Sequence, residues 1–531
     1  MSKFESESKN TLYKPQKAII LAAGVGLRMA PINMTIPKGL LEVNGQPLIE
    51  RLIIQLHEAG VHDIYVVVGY KREEFEYLRI KYNVSLIINE YYHSKNNLYS
   101  LNLASNYLEN SYIVPCDIWC KTNPFNSTEP YTWYMVTEEY DSKSSVKLEQ
   151  SMELTESIGG NRMVGIAYIA SSDSENVKKR IQDLCKEQYN DDAFWEIILS
   201  EKEKFRFYGK LIAQDKVTEI NTYEQLRKLD SQSVHLDCDE IALAANVLNV
   251  SQSRITDIFS LKKGMTNRSF VFSCEGNKYI MRIPGEGTEK LINRQEEATV
   301  YELIAPQNIC DPLVYINPQN GYKITKYVDN ARVCDPFSKN DVVICIDALK
   351  RFHKLSLKVS HTFDLFDKIE FYENLWQEAD SAYADYEETK KHIYSLQAFI
   401  DKTKGEYVLT HIDAVPDNFL ICEKKDGKKE IKIIDWEYAA MQDPHVDIAM
   451  FCIYALYDRQ KIDEIINIYF NNNCPKIIRT KIYCYIAVCG LLWSNWCEYK
   501  RQLGVEFGEY AFKQYVYAKE YFEIVKNEIG L

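Results

Sequence analysis

The sequence predicts two domains of different fold class, an α/β domain with a mostly parallel sheet followed by a two-lobed α+β domain. The first observation is length, because 531 residues exceed what one hydrophobic core usually holds. The second is that buried apolar runs alternate with amphipathic helices up to about residue 230. The third is a change beyond that point to β-rich runs and then mostly helical segments. We therefore place the domains at residues 1–232 and 233–531, with the boundary in a polar, unpatterned stretch.

The α/β prediction rests on the order of elements in the first domain. KAIILAAG at residues 17–24 is a buried-strand run that ends in glycine, and LIERLIIQLHEAG at 48–60 has helical apolar spacing before a glycine stop. DIYVVVGY at 63–70 and SYIVPCDIW at 111–119 predict further buried strands. Strands that are apolar throughout and separated by helices are typical of a mostly parallel sheet with both faces covered.

The second domain begins differently. An amphipathic helix is predicted at 239–248, and the two β-rich runs within 260–285 predict an antiparallel hairpin. From residue 341 onward most segments are helical, apart from a pair of strands near Asp413 and Asp435. A small sheet followed by a larger helical part predicts two lobes.

Composition narrows the function classes. The chain has 46% hydrophobic and 26% charged residues, which is typical of a soluble globular protein. A net charge of −13 argues against nucleic acid as a partner. The 14 cysteines form no C-x-x-C pair, and the polar start has no secretory signal, so we expect a cytoplasmic protein with reduced thiols. The uncharged run at 482–496 predicts a buried core helix and no membrane insertion.

The densest chemistry lies between residues 408 and 437. HIDAVPDN followed by IIDW gives H-x-D-x-x-x-x-N and then a strand-borne aspartate. Protein-kinase-like folds use this order to place one base and two metal ligands around a nucleotide triphosphate. We expect Asp413 to accept the proton of an attacking hydroxyl, and Asn418 and Asp435 to hold Mg²⁺. His411 and Asp447 are expected to be structural.

A second motif directly follows the first predicted strand. LAAGVGLRM places Gly24 and Gly26 at the carboxyl end of a parallel strand, where open α/β sheets bind ligands. Glycine lets backbone N–H groups approach phosphate oxygens, and Arg28 and Lys38 add positive charge. A lone G-x-G is often only a tight turn, so the position after the strand is what favours a phosphate site.

L-A-A-G-x-G-x-R-M followed by P-K resembles the sugar-nucleotide pyrophosphorylase superfamily, within it the phosphocholine cytidylyltransferases, over about residues 17–230. The resemblance implies a Rossmann-like fold that binds CTP with catalytic Lys38. It implies nucleotide contacts from Ala23, Gly24, Gly26, Arg28, Asn97 and Ser100, and metal ligands Asp117, Glu219 and Asn221. Asn221 departs from the family, which usually has an acid there; its carbonyl can still bind Mg²⁺.

The same resemblance suggests where a phosphocholine head would bind. A quaternary ammonium has no N–H donor, so aromatic faces and carboxylates recognise it. Candidates are Trp133 and Trp195, with Asp192 and Glu196 beside the latter. Core positions for both tryptophans are the alternative.

Residues 239–531 resemble the choline/ethanolamine kinase family. The resemblance implies ATP contacts from Thr266, Asn267, Arg282 and Glu297, where Glu297, or neighbouring Glu296, would pair with Arg282. It implies an acceptor pocket with Trp493 and Trp496, for which core positions are the alternative, and with Tyr454 and Tyr457 as candidate further walls. The family often has a glutamate where this chain reads FCIYALY, without an acid. The pocket would then use Asp413 with its rings, or Glu498.

Together these expectations describe a bifunctional enzyme that makes CDP-choline from choline, ATP and CTP with Mg²⁺, and supplies a downstream phosphocholine transferase. The alternatives are a sugar-phosphate nucleotidyltransferase fused to an aminoglycoside-type or ethanolamine kinase, or a chain in which one half is non-catalytic and regulatory. The sequence leaves choline against ethanolamine, oligomeric state and domain orientation open.

Overall fold

The computed structural model describes residues 12–26, 29, 31–32, 36–200, 206–261, 267–285, 288–376, 381–423, 429–503, 505 and 507–530. The chain divides into two compact units, Met1–Lys263 and Gly264–Leu531. Helix Asp239–Leu248 and strand Thr256–Ser260 thus lie in the first unit. There the Ile258 N–H donates to the Glu224 side chain at 3.0 Å. The domain boundary at residue 232 stays a prediction.

The first unit is built on a sheet with seven strands among the described residues. Their spatial order is Tyr208–Leu211, Trp133–Asp141, Gly160–Ile169, Ser111–Pro115, Lys17–Ala22, Asp63–Val68 and Ser85–Ile88. Only the third of these strands runs antiparallel to its neighbours; the other pairs are parallel. The predicted mostly parallel sheet is confirmed.

Both faces of this sheet are buried. Alternate residues of the first strand enter different cores: Ala18, Ile20 and Ala22 join one, while Ile19 and Leu21 join the other. Because side chains alternate across a strand, a strand covered on both faces must be apolar throughout. The helices of this unit are Leu48–Glu58, Tyr77–Tyr82, Asn97–Leu103, Ser171–Leu184, Tyr223–Leu229 and Asp239–Leu248.

Short antiparallel ladders lie outside the main sheet. They pair Ile118–Cys120 with Val217–Glu219, Glu42–Val43 with Gln46–Pro47, and Val146–Leu148 with Leu154–Glu156. In the first ladder Glu219 lies opposite Ile118. This register brings two chain segments that are far apart in sequence to one end of the sheet.

The second unit begins with an antiparallel sheet in which Asn267–Cys274, Asn277–Pro284, Lys323–Lys326 and Leu313–Ile316 are neighbours in that order. The first two strands form the predicted hairpin, joined by Glu275 and Gly276 at φ 49° and 79°. Positive φ at both turn positions matches the right-handed twist of the strands. Helix Arg294–Ile304 follows the hairpin.

The rest of the second unit is mainly helical and shares one core. Its helices are Lys339–Lys354, Leu365–Trp376, Tyr386–Ser395, Gln397–Thr403, His445–Tyr454, Arg459–Tyr469, Lys476–Gln502 and Glu509–Ile529. Its short strands are Ala331–Val333, Phe419–Glu423 and Lys429–Ile433, and the pair Val408–Thr410 with Ala440–Gln442. Among the described residues one helix, Lys476–Gln502, is long and apolar enough to cross a membrane, but 83% of its most apolar window is buried. It packs as a core helix.

Candidate active sites

The short ladder in the first unit creates a polar site. Asp117 directly precedes strand Ile118–Cys120, and Asn221 follows shortly after strand Val217–Glu219. The Ile220 N–H donates to the Asp117 carbonyl at 2.9 Å, which extends the ladder. The antiparallel register therefore brings these two predicted metal ligands to the same place.

Lys38 lies between them. Its Nζ donates to Asp117 Oδ2 and, at 2.7 Å, to Asn221 Oδ1. Gly26 adopts φ +67°, and a Cβ there would lie 3.4 Å from the aliphatic stem of Lys38. The glycine loop, the lysine and the ladder are thus one site. Arg28 lies outside the described residues.

The donor set suits a hard divalent cation. The Oδ1 atom of Asp117 is buried and has no hydrogen-bond partner among the described residues. Nowhere in the described part of the chain do three His, Cys, Asp or Glu side chains gather closely enough to hold a metal alone. Mg²⁺ is usually held by one or two carboxylates plus substrate phosphates and water. Asp117, Glu219 and Asn221 fit Mg²⁺ bound in that way.

The predicted nucleotide contacts on helix Asn97–Leu103 are engaged within the protein. Asn97 Oδ1 accepts from the Trp195 N–H at 2.7 Å, and Ser100 Oγ accepts from Asn89 Nδ2 at 3.0 Å. These bonds link the helix start to the segment that contains Trp195. A nucleotide role for Asn97 and Ser100 stays a prediction.

The structure contradicts a cage role for Trp133. Its side chain is 1% exposed, and its Nε1 donates to Glu129 at 2.9 Å. Lys210 Nζ lies 4.1 Å from the ring centroid and already supplies the cation for that face. Trp195 is equally buried, 5.6 Å from the Tyr134 ring. Both tryptophans therefore occupy the alternative core positions.

The acid that faces this site is Glu196, while Asp192 is exposed. Glu196 Oε1 accepts from the Tyr134 hydroxyl at 3.4 Å, and Oε2 is buried without a partner among the described residues. Burial raises the pKa of Glu196 to about 7, with contributions from the Glu219 and Asp117 carboxylates. Sequence reasoning named Asp192 and Glu196 together, and only packing separates them.

In the second unit the catalytic loop has the predicted arrangement. Asn418 Nδ2 donates to the Asp413 carbonyl at 2.9 Å and to Asp413 Oδ2 at 3.0 Å. Burial, with nearby Asp435 and Glu437, raises the pKa of Asp413 to about 8. Burial and Glu437 raise the pKa of Asp435 to about 7. Several acids are therefore close together and create a negative field. The side-chain oxygens of Asn418 and Asp435 lie in this field and suit Mg²⁺.

Asp447 holds this loop from behind. It accepts from the N–H groups of His411 and Ile412 at 3.0 and 2.8 Å, and contacts His353 Nε2 at 2.8 Å. His411 Nε2 donates to the Ile434 carbonyl at 2.9 Å, next to Asp435. Burial lowers the pKa of His411 to about 4, so the ring is neutral. The geometry matches the expected structural roles of His411 and Asp447.

A buried charge cluster lies next to the two aspartates. It consists of Arg282, Arg294, Lys323, Glu297 and Glu437. Arg282 pairs with Glu297 through two hydrogen bonds, one of 2.8 Å, as predicted. Arg294 donates to both Glu297 and Glu437 at 2.9 Å. Sequence reasoning missed Arg294, Lys323 and Glu437, although Glu437 stands two residues after Asp435 in IIDWEY.

Asn267 joins this cluster by donating to Glu437 at 2.9 Å. It opens the first strand of the hairpin, so the cluster connects that strand to the segment of Asp435. Thr266, the neighbouring predicted ATP contact, lies outside the described residues. ATP contacts from Asn267, Arg282 and Glu297 stay predictions.

An aromatic wall extends from Trp493 and Trp496. It consists of Tyr372, Tyr438, Trp493, Trp496, Phe507, Tyr510 and Tyr454, with successive ring contacts of 5.2–6.5 Å. Asp413 is among the charges that raise the pKa values of Tyr372 and Tyr438, so the wall lies near the predicted base. Trp493 Nε1 contacts Met450 Sδ at 2.8 Å.

Two expectations for this pocket are corrected. The Tyr457 hydroxyl donates to the Pro336 carbonyl and its ring lies 6.4 Å from Phe451, whereas the Tyr454 ring contacts Tyr510, so Tyr454 is the tyrosine that joins the wall. Glu498 accepts from the Ala382 N–H at 3.2 Å and from Arg501 at 3.0 Å. Its charge is therefore already paired with Arg501.

Comparison with known proteins gives a separate match for each part of the chain. The model for the MobA-like NTP transferase domain matches residues 18–124. The model for choline/ethanolamine kinase matches residues 258–486.

Individual relatives match the two parts in the same way. A choline-phosphate cytidylyltransferase of Streptococcus pneumoniae is 31% identical over 40% of this chain and 96% of its own length. A 2-aminoethylphosphonate cytidylyltransferase of Lancefieldella rimae is 31% identical over 41% of this chain and 94% of its own. Protein LicA of Haemophilus influenzae is 26% identical over 47% of this chain and 96% of its own.

Proposed function

Because the chain belongs to the choline-phosphate cytidylyltransferase family in its first part and to the choline/ethanolamine kinase family in its second, we propose that it makes CDP-choline in two steps. The second unit phosphorylates choline with ATP, and the first transfers CMP from CTP to phosphocholine with release of pyrophosphate. The observation that carries this proposal is the aromatic wall next to Asp413, because rings beside a base suit a trimethylammonium alcohol.

In the kinase step Asp413 accepts the proton of the choline hydroxyl. Burial and neighbouring acids raise its pKa to about 8, which favours proton acceptance near neutral pH. Asn418 fixes the carboxylate through the bond to Oδ2, so the base is oriented before the substrate arrives. The wall holds the ammonium end and directs the hydroxyl towards Asp413.

The cytidylyl transfer needs no side-chain nucleophile, because a phosphate oxygen of phosphocholine attacks the α-phosphorus of CTP. Lys38 exchanges its contacts with Asp117 and Asn221 for the phosphates and balances their charge. Glu196 offers a carboxylate to the ammonium end. Mg²⁺, when bound through Asp117, Glu219 and Asn221 here and through Asn418 and Asp435 in the kinase, supplies neutralisation of phosphate charge.

A second candidate acceptor for the first unit is an aminoalkyl phosphonate. The 2-aminoethylphosphonate cytidylyltransferase is as similar to this chain as the choline-phosphate enzyme. Trp133 is not available to a quaternary ammonium, while the unpartnered Glu196 oxygen can accept from a primary ammonium. Competition between phosphocholine and 2-aminoethylphosphonate for CTP decides between the two.

The proposal is tested with purified protein, choline, ATP, CTP and Mg²⁺, followed by mass spectrometry for CDP-choline. Asp413→Asn removes the base and lowers phosphocholine formation by about a thousandfold, while transfer from CTP to added phosphocholine continues. Asp117→Asn has the reverse pattern. If either variant loses both steps and stays folded, two independent sites are excluded. Activity only with sugar phosphates or aminoglycosides supports the alternative enzyme, and no turnover by one half supports a regulatory role.

The proposal includes a cytoplasmic location and a downstream phosphocholine transferase that consumes CDP-choline. All fourteen cysteines are free, and most are buried, which suits a reducing compartment. Cell fractionation tests the location. Detection of the protein outside the cytoplasmic fraction contradicts it.

A further inference from the structure

The catalytic loop of the second unit contains a carboxylate with no role in the proposed mechanism, Asp417. It is the middle residue of the 3-10 turn Pro416–Asn418. Pro416 and Asn418 are buried, whereas Asp417 is exposed. Consecutive residues of such a turn point in different directions, so the turn that directs Asn418 onto Asp413 leaves Asp417 at the rim of the same loop.

Tyr454 fixes the position of this carboxylate. Its hydroxyl donates to Asp417 Oδ2 at 2.8 Å from the last residue of helix His445–Tyr454. The Tyr454 ring is 5.8 Å from Tyr510 in an edge contact, and both rings belong to the aromatic wall. Burial, Asp417 and Asp413 together raise the pKa of Tyr454, so both carboxylates act on this hydroxyl.

Asp417 forms no ion pair with a lysine, arginine or histidine in the described part of the chain, and its side chain accepts from the Tyr454 hydroxyl. Tyr454 stands within FCIYALY, the segment that has no acid where the resembling family often has a glutamate. A carboxylate is nevertheless present beside that segment, supplied by the catalytic loop. Rings attract an organic cation through their faces, and an adjacent carboxylate adds charge attraction.

We propose that Asp417, oriented by Tyr454, is the carboxylate that recognises the ammonium end of the acceptor alcohol in the second unit. Asp417 is a substrate-binding residue, and Tyr454 is a positioning residue that acts through it. This inference rests on the proposed kinase function and deepens it, because it names the residue that recognises the ammonium group of the acceptor.

The test compares choline with 3,3-dimethyl-1-butanol, which has the same shape without the charge. The full-length protein phosphorylates choline with the higher kcat/KM, and Asp417→Asn lowers that preference about tenfold by raising KM for choline. The kcat for choline and KM for ATP change less than twofold. Asp417→Glu retains part of the preference, and Tyr454→Phe lowers it about threefold, because the charge remains but is less fixed.

The matched control is Asp401→Asn. Asp401 is exposed on helix Gln397–Thr403 and pairs with Lys404 at 2.9 Å, so its removal changes net charge equally. This control leaves the preference unchanged. An Asp417→Asn protein with the full preference for choline overturns the inference while the kinase function stands. A native protein that phosphorylates no amino alcohol overturns the proposed kinase function and this inference together.

Discussion

In the first unit a lysine contacts the predicted metal ligands directly. In the second unit the arginines near the two aspartates pair with neighbouring glutamates instead. Lys38 binds Asp117 and Asn221 directly. Arg282 and Arg294 instead bind Glu297 and Glu437. The negative charge of the first site is therefore compensated inside the site itself.

The second site shows the consequence of the other arrangement. Asp413 and Asp435 have pKa values raised to about 8 and 7 by burial and by neighbouring acids. The cations behind them are committed to two glutamates, so this site gains more from a divalent cation. Similar phosphate chemistry can therefore start from a site that already holds a cation or from one that still requires a cation.

The largest expected effect comes from breaking the buried charge cluster. Arg294→Met leaves Glu297 and Glu437 partly uncompensated and lowers the unfolding free energy of the second unit by about 3–5 kcal/mol. Chemical denaturation of the full chain, monitored by the loss of kinase activity, measures this change in unfolding free energy. The additional change Glu437→Gln recovers part of the loss because it removes one unpaired charge.

The control for the cluster is Lys461→Met, which removes an exposed pair with Glu464 at 3.1 Å and changes stability by less than about 0.5 kcal/mol.

The cluster also predicts that the second unit loses stability in acid. Burial alone would raise the pKa of Glu297, but Arg282, Lys323 and Arg294 lower it to about 2. This stabilisation is complete above about pH 4.5 and is lost as pH falls towards 2. Equal stability of Arg294→Met and the native chain contradicts the cluster's role.

The second largest effect is expected from removing the lysine of the first site. Lys38→Met removes the cation between Asp117 and Asn221 and lowers cytidylyl transfer by about a hundredfold, or about 2.7 kcal/mol. Mg²⁺ then raises the melting temperature of the first unit more than in the native chain, because it replaces the missing charge. Scanning calorimetry with and without Mg²⁺ measures this.

Lys121→Met serves as the control because Lys121 is an exposed lysine of the same unit. It leaves both transfer and the Mg²⁺ response unchanged. A Lys38→Met protein with native transfer and a native Mg²⁺ response shows that the lysine does not compensate the site.

The smallest effect concerns Glu196, whose pKa burial raises to about 7. Between pH 4.5 and 7 the folded unit holds a proton that the unfolded chain releases, so stability falls as pH rises through this window. Glu196→Gln removes this loss and stabilises the first unit at pH 8 by about 2 kcal/mol. Below pH 4.5 the two proteins unfold alike.

Thermal unfolding between pH 4 and 8 measures this effect. Asp192→Asn is the matched control, since Asp192 lies in the same segment but is exposed. A native chain whose first unit shows no such pH dependence contradicts the buried position of Glu196.

Much of both sites was predictable where the groups are close in sequence. Asp413 and Asn418 are five residues apart, so the loop itself allows their bond. Gly26 lies four residues after the end of strand Lys17–Ala22, and its loop conformation is a local property. The apolar runs likewise predicted the parallel sheet, because burial on both faces leaves a pattern in each strand.

The order of strands and helices, the glycine loop and the catalytic loop could be predicted from the sequence, since these depend on local geometry and apolar spacing. The contacts of Lys38 with Asn221, 183 residues apart, and of Arg294 with Glu437, 143 residues apart, become visible only in the folded chain. The fold also decides that Glu196 faces the first site while Asp192 is exposed, and that Tyr454 joins the aromatic wall while Tyr457 does not. It places Lys210 over the Trp133 ring, so that this ring is not free for a ligand. The physical reason is that a side chain's partner and burial depend on packing between distant segments, which the local pattern does not contain.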